Sequence, residues 1–473
     1  MKIQSWIKIT LLAALLTACR ATAPNYKRPL IKPPDAFRSA PGNATPADLA
    51  SLADLKWFEV FNDERLQQLI RVALEANYDL RDAVARVDAA RANLGITRAD
   101  QYPTIAASTD VTTSRTSAAG AFPVPDGFDQ RRTFGGLALN LFSYELDIWG
   151  RLKQATEGKR AELLAAEENR KAVISTLVGD VAGAYFNLLA LDMELAIARR
   201  TLTTRQESLR LIKSREASGL ATIMEVRQGE QLVHTAAQSI PNIERLMEQS
   251  ENHISLLLGD RPNAVRRGVR TLTDQQQPPS VPPGLPSAML ERRPDIRRAE
   301  QNLIAANAAI GVAKAAYFPR ISLTGLLGFQ SNQLSNLFTG STGVWQFVPQ
   351  LSQPIFNAGR IRSNSGLAAA QEQLALIQYE RVIQTAFREV SDALVQYQKV
   401  REIQAEQELL LSTLQDRSRL AYIRYRGGVD TLLNALDADR DLFDAELGLA
   451  RTRRDELLAL VQLYRALGGG WEQ

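Results

Sequence analysis

Five polar residues near the C-terminal end, Asp430, Asn434, Asp437, Asp441 and Asp444, recur at spacings of 4, 3, 4 and 3. That period places them along one face of a helix. A row of carboxylates draws cations. Set as a ring around an axis, the acids repel one another, so a closed ring needs compensating bases. Arg440 lies one turn after Asp437 and one turn before Asp444. The plain alternative is therefore a solvated face laced with weak ion pairs. Other chemistry finds little support. His234 and His253 are the only 2 histidines, and neither has ligand spacing around it. No nucleophile–base arrangement is discernible. Gly468-Gly469-Gly470 precedes no helix and so is not a phosphate loop. Of 5 methionines only Met1 lies in the leader, and the other four form no soft-metal stripe, which argues against a dedicated copper or silver exporter. An enzyme, a resident metal and a cofactor are not expected.

Cys19 is the only cysteine, and it follows a basic start and a short apolar run ending at Leu16. Leu16-Thr17-Ala18-Cys19 is similar to a bacterial lipobox, in which cleavage before the cysteine leaves it to carry lipid. Acyl chains add about 0.8 kcal/mol per buried CH₂, so several on one residue form a firm anchor. Arg20 stands where lipoproteins kept at the inner membrane usually have Asp, which makes the outer membrane the expected destination. A single cysteine excludes an intramolecular disulfide. The net charge of +4 drops to +2 when Lys2 and Lys8 leave with the leader. The bases are dispersed without aromatic interleaving, so nucleic acid is not an expected partner.

The elements that must position the stripe are legible from proline. None occurs between Asp126 and Ile240 or after Pro354. Those stretches are rich in strong helix formers, and Leu152 to about Ala217 predicts one rod of roughly 95 Å. Helices of that length stabilise one another along heptad-like seams. No uninterrupted run of 18 apolar residues follows the leader, so a conventional transmembrane helix is not expected. Residues 321–331 and 344–355 alternate instead with period two. Trp345, Phe347, Leu351 and Ile355 are set against Gln346, Gln350 and Ser352. Segments 105–116 and 134–148 are weaker versions, with Phe142, Tyr144 and Trp149 suited to an interfacial position. At about ten residues each, these would fit an ordinary sandwich taken singly, but in a lipoprotein without a transmembrane helix they read as membrane-spanning strands.

The chain also matches itself. At a shift of 209, Gly150-Arg151 falls on Gly359-Arg360, Gly219 on Gly428, and Leu258-Gly259 on Leu467-Gly468. Upstream the shift is 216, with Pro103 on Pro319. Each repeat predicts helix, strand, loop, strand, very long helix, glycine turn, long helix. Four strands cannot close a barrel, and open edges are not tolerated in lipid, so chains must combine. Two, three or four chains remain open at this point. The stripe belongs to one repeat only: Asp430, Asn434, Asp437, Asp441 and Asp444 fall on Ala221, Glu225, Gln228, Leu232 and Thr235.

Over essentially its whole mature length the chain resembles the outer-membrane efflux lipoproteins of the TolC/OprM type, closest to the OprM branch. The segments that carry this are "LPSAMLERRPDIRRAEQNLIAANAAIGVAKAAYFPRISLTG", "ELDIWGRL", "PIFNAGRI", "IQTAFREVSDAL" and "RALGGGWEQ". The resemblance implies an α+β membrane protein. It would be a homotrimer sharing a 12-stranded transmembrane β-barrel, continued by a 12-helix periplasmic α-barrel, with an internal duplication in each chain. It implies the exit duct of a tripartite pump, with a periplasmic adaptor and an inner-membrane transporter, of RND type, as partners. It also implies a periplasmic tip for adaptor docking at Ser218-Gly219-Leu220 and Gly427-Gly428-Val429. Leu433 and Asp437 match the constriction residues of the OprM branch, Arg440 the basic partner, and Tyr425 a tyrosine bonded across helices to an acid matched by Glu225. Asp430 stands where TolC has a base, and Asn434 where it has an acid. The implied organisation is a leader (1–18), a lipid-anchored arm (19–63), repeat one (64–259), a Pro-rich linker (260–286), repeat two (287–468) and a tail (469–473). A protein-secretion duct of the same fold, or a non-conducting structural lipoprotein, are the alternatives.

Overall fold

A computed structural model describes residues 25–34, 37, 52–117, 127, 130–275 and 286–471. Cys19, the leader, about half of the arm and residues 276–285 of the Pro-rich linker lie outside the described residues. Along the chain come α1 (Trp57–Val60), α2 (Glu64–Ala76), α3 (Tyr78–Ala99), β1 (Thr104–Arg115), β2 (Arg131–Glu145), α4 (Arg151–Ala217) and α5 (Ile223–Leu257). After the linker follow α6 (Pro286–Arg292), α7 (Pro294–Ala315), β3 (Arg320–Ser331), β4 (Gly343–Ser352), α8 (Arg360–Arg426) and α9 (Leu432–Ala466). Element lengths recur. Helices α3 and α7 have 22 residues, α4 and α8 have 67, and α5 and α9 have 35. The left-handed glycines Gly150, Gly219 and Gly259 reappear as Gly359, Gly428 and Gly468.

The chain divides into two compact units. The first comprises residues 88–165 and 299–379 with the segment ending at Pro29. Its sheet is a meander in the order β1-β2-β3-β4, antiparallel throughout. β1 pairs only with β2 and β4 only with β3, so both outer edges are unpaired within the chain. Cross-strand partners share a face, and the register separates a mainly apolar face from a more polar one that also carries Leu326, Val348 and Phe142. One face carries Ile105, Leu139, Leu141, Leu327, Phe347 and Leu351, and the other Ser108, Asn140, Gln346 and Gln350. On the polar face Asn140 donates from Nδ2 to Ser108 Oγ at 2.7 Å. Pro349 is tolerated because β4 is an edge strand, where a missing N–H costs no ladder bond within the chain. Between Leu141 and Tyr144 the register slips by one, a bulge at the sheet's base. Trp149 ties two elements together at this end of the sheet. Its ring stacks on Phe318 at 4.7 Å and its Nε1 donates to the Pro319 carbonyl at 2.7 Å, so it pins the start of α4 to the start of β3.

The second unit comprises residues 30–87, 166–298 and 380–473. Leu66, Ile70, Tyr185, Leu188, Ile254, Ile296 and Ile383 form its fully buried interior. One 18-residue window of α4 reaches a mean hydropathy of 1.5, enough by length and composition for a membrane span, and 56% of it is buried in protein. Its apolarity thus serves packing against neighbouring helices. Pro241 sits inside α5, which continues through it, contrary to proline as a strict boundary. The described end of the linker is held by Arg267, which pairs with Asp192 at 2.9 Å and also with Glu251. Arg293 is buried and satisfied by Asp295, Glu389 and the Ala466 carbonyl.

Candidate functional site

Each long helix of the second unit ends in the same glycine turn. Past α4, Gly219 adopts φ +71°, and past α8, Gly428 adopts φ +70°. Leu220 N–H returns to the Arg215 carbonyl at 2.8 Å and Val429 N–H to that of Arg424 at 3.1 Å. These are Schellman closures, in which a residue without Cβ takes the left-handed position. The following helices start differently. Thr222 and Glu225 form a reciprocal capping box at the start of α5. Thr431 opens α9 with no side-chain cap, and Asp430 accepts from its N–H instead, at 2.8 Å. Ser218, Gly219, Leu220, Gly427, Gly428 and Val429 are all exposed, with Leu220 at 70% and Val429 at 67%.

Behind the turns, Ile212, Val226, Tyr425, Leu432, Ala435 and Leu436 form a small core. Helices α4 and α5 approach closely at Gly229, where a Cβ would lie 3.0 Å from Leu209 Cδ1. This core orients α9. Leu432, Ala435, Leu436, Asp439 and Phe443 point inward, which leaves Leu433, Asn434, Asp437, Arg440 and Asp444 on the uncovered side. Leu433, Asp437 and Arg440 therefore share one free face of α9.

The acids of the stripe have distinct environments. Asp430 accepts from Asn434 Nδ2 at 2.7 Å and pairs with Arg424 across the turn at 3.0 Å. Those bonds, with the Thr431 N–H, hold its carboxyl below the usual range. Asp441 pairs with Arg417 of α8 at 2.7 Å, and that guanidinium lowers its pKa against an opposing effect of burial. Arg440 reaches both Asp437 and Asp441 at 3.4 Å, not Asp444. At that length and exposure such pairs contribute little. Ser412, Arg417, Arg424, Asp430 and Asn434 line an open groove of about 850 Å³ between α8 and α9.

Two placements stand apart from the expected contacts. Tyr425 is buried, yet its hydroxyl has no hydrogen-bond partner. Glu225 turns instead to Thr222, accepting from its N–H at 2.6 Å and from its hydroxyl at 3.1 Å. The expected Tyr425–Glu225 bond is therefore absent, because the capping box claims the carboxylate. Glu225 still acts through space: burial raises the Tyr425 pKa, the Arg215 guanidinium over its ring opposes this, and Glu225 adds to it. The second is a contact for which the sequence raised no expectation, that of Asp439, which lies off the stripe. It forms a 2.7 Å ion pair with Arg205 of α4, with side-chain exposures of 11% and 2%. Arg205 also donates to the Leu232 carbonyl of α5 at 3.1 Å and stacks over Phe443 at 4.9 Å. One side chain thus ties three helices below the turns. An acid between Leu436 and Phe443, on the apolar side of α9, is the signal that could have found it.

Comparison with known proteins now supplies the family. Residues 69–260 and 285–469 match the outer membrane efflux protein family. The chain is 37% identical to the antibiotic efflux pump outer membrane protein ArpC of Pseudomonas putida, over 99% of this chain and 96% of that protein. It is 35% identical to the probable outer membrane lipoprotein SilC of Salmonella typhimurium, over 97% of each. The crystal structure of the open state of the Neisseria gonorrhoeae MtrE outer membrane channel superposes with a TM-score of 0.85 at 31% identity, over 96% of this chain and 99% of that one. The chain belongs to the outer membrane efflux protein family, whose members are outer-membrane channels of efflux pumps and not enzymes.

Proposed function

We propose that this chain is the exit duct of a tripartite multidrug efflux pump of RND type, conducting small molecules passively out of the periplasm. Three chains would each contribute four strands to a 12-stranded barrel and four long helices to a 12-helix barrel. The observation that carries this reading is the sheet: one apolar face, one polar face and two unpaired edges, a form that lipid tolerates only when further strands close it. The apolar face would meet lipid and the amide- and hydroxyl-bearing face would line the pore.

Leu433, Asp437 and Arg440 would form the gate at the periplasmic end, since they share a face of α9 that their own chain leaves uncovered. Asp430 and Asn434, bonded to each other and to Arg424, would stiffen the turn rather than close the pore. Tyr425 and Glu225 would form a closing contact only in a state that releases Glu225 from its capping box. The exposed turns Ser218-Gly219-Leu220 and Gly427-Gly428-Val429 offer apolar tips for a periplasmic adaptor. Cys19 would carry the lipid, palmitate among its acyl chains, that tethers the arm to the outer membrane.

Planar-bilayer recordings test this directly. The wild-type chain should form channels, and Asp437→Ala and Arg440→Ala should each raise single-channel conductance by loosening the closed ring. Unchanged conductance in both variants would remove the gate assignment, and no channels from any of them would favour a non-conducting structural role. Cysteines at Gly219 and Gly428 should cross-link the adaptor.

A further inference from the structure

At the base of the sheet, the end of β2 and the start of β3 are closed against each other. Trp149 stacks on Phe318 at 4.7 Å and donates to the Pro319 carbonyl at 2.7 Å, and the Leu146 N–H donates to the Ile321 carbonyl at 2.9 Å. Glu145 pairs with Arg151 at 2.7 Å, and Asp147 accepts from the N–H groups of Leu152 and Lys153 at the start of α4. The internal repeat supplies a second copy of both halves of this junction. The shift of 209 carries Glu145, Leu146, Asp147 and Trp149 onto Pro354, Ile355, Phe356 and Ala358, after β4. The shift of 216 carries Tyr102 and Pro103, before β1, onto Phe318 and Pro319. These two halves do not meet within the chain, because β1 and β4 stand at opposite edges of the sheet. Apolar residues replace both acids, and the large ones are uncovered: Ile355 is 91% exposed, Phe356 88% and Tyr102 61%. Leu146, Trp149 and Phe318 are all partly buried. Ala358, where the first junction has its tryptophan, takes a left-handed φ of +49°, a costly conformation for a residue with a Cβ.

We infer that the Ile355-Phe356 turn of one copy docks on Tyr102-Pro103 of a second copy, so that the seam between chains repeats the junction within the chain. This rests on the duct reading, which sets β4 of one copy beside β1 of the next. Continuing the antiparallel meander across that seam brings the end of β4 level with the start of β1. The Ile355 N–H would then donate to the Ile105 carbonyl of the second copy, as Leu146 donates to Ile321. Ala358 has no ring to offer Tyr102, so the apolar surface at the seam comes from Ile355 and Phe356 instead. A second copy is favoured as occupant because the chain already buries this pair of surfaces against each other once. Both exposed halves also adjoin strand edges that the chain leaves unpaired.

The test uses the full-length chain in native outer membranes, with Tyr102→Cys/Phe356→Cys treated with a short bifunctional thiol reagent. The pair should give a ladder of covalently joined chains. Each single variant should stay unlinked, and so should Tyr102→Cys/Phe329→Cys, whose second thiol lies at the opposite end of the sheet. In detergent, Ile355→Ser/Phe356→Ser should raise the fraction of single chains by about 10-fold or more, the loss expected when a large apolar contact is removed. Phe356→Leu should stay close to wild type. A missing ladder in a Tyr102→Cys/Phe356→Cys preparation that still forms channels overturns this contact alone. So does an unaltered assembly of Ile355→Ser/Phe356→Ser, and weaker membrane retention of that variant would then assign the turn to lipid. A wild-type chain that forms neither channels nor assemblies overturns the duct reading as well.

Discussion

Removing Arg205 would leave the Asp439 carboxylate nearly enclosed and without its ion-pair partner. Breaking one side of a buried pair costs about 3–5 kcal/mol, because the remaining charge is stranded. Arg205→Ala should accordingly raise amide hydrogen exchange at the starts of α5 and α9 by orders of magnitude, with the strands unaffected. Arg205→Met/Asp439→Leu should recover most of that protection, since apolar residues of similar volume replace a buried pair at little cost. Equal exchange in the single and double variants would show that the pair does not hold the helices. The residue scale is also where the sequence was least legible. The stripe at Asp430, Asn434, Asp437, Asp441 and Asp444 follows from spacing alone, because one helix fixes it. The partner of Asp439 stands 234 positions away on α4, and no local period reports it. Thr222-x-x-Glu225, by contrast, stands in the sequence with the spacing of a capping box, and what spacing does not show is that Tyr425 is left without that carboxylate.

At the scale of elements, the glycine turns were legible because only two backbone features make them: a long helix ending and a residue free to adopt positive φ. Gly428 has open space around its missing Cβ, so strain alone resists a side chain there. Gly428→Ala should destabilise the turn by about 1–2 kcal/mol, read as faster exchange at 425–433 with α9 beyond Phe443 unchanged. Unaltered exchange would mean that the turn relaxes without cost. The α8–α9 contact carries a pH dependence whose sign follows from Asp430 and Asp441. Both have folded pKa values below the ordinary value, held there by Asn434 and Arg424 and by Arg417 respectively. Their contribution is present in full above the unfolded carboxylate value of about 3.9 and is lost as pH falls through the lower folded values. Spin labels on α8 and α9 should therefore keep their separation from neutrality to about pH 4 and broaden below it. Asp430→Asn/Asp441→Asn should be broader already at neutrality and respond less to acid. The helix through Pro241 marks the limit at this scale. A proline-free stretch predicts where a helix can run, but neighbours packed along α5 can keep one going past a single missing N–H.

For the whole molecule, strand count is what turns a sheet into a statement about stoichiometry. Period-two alternation predicted all four strands to within a few residues, because each strand records in its own sequence which face is apolar. Closure leaves no such record, since in the proposed assembly the partner of an edge strand would be another copy of the same chain. The edges of β1 and β4 are backbone, and backbone hydrogen bonding reads the same from any sequence. Two copies would give eight strands, three would give twelve and four sixteen, each even and each closed. The helical region narrows the choice by a separate route. Leu433, Asp437 and Arg440 can oppose their own copies only if the number of chains leaves little space at the axis, and larger rings widen that space. In the proposed assembly three chains would satisfy both demands while leaving a barrel wider than side chains can fill. Cross-linking in native outer membranes should then yield a limiting species of three chains of up to 52.2 kDa each, lighter by any leader removed. A lysine at Val111 on the apolar face of β1 should lower insertion without changing that ratio, because it is costly in lipid and neutral to the count. A limiting species of two or four chains would overturn the trimer, and with it the assignment of α9 as the element that closes the pore.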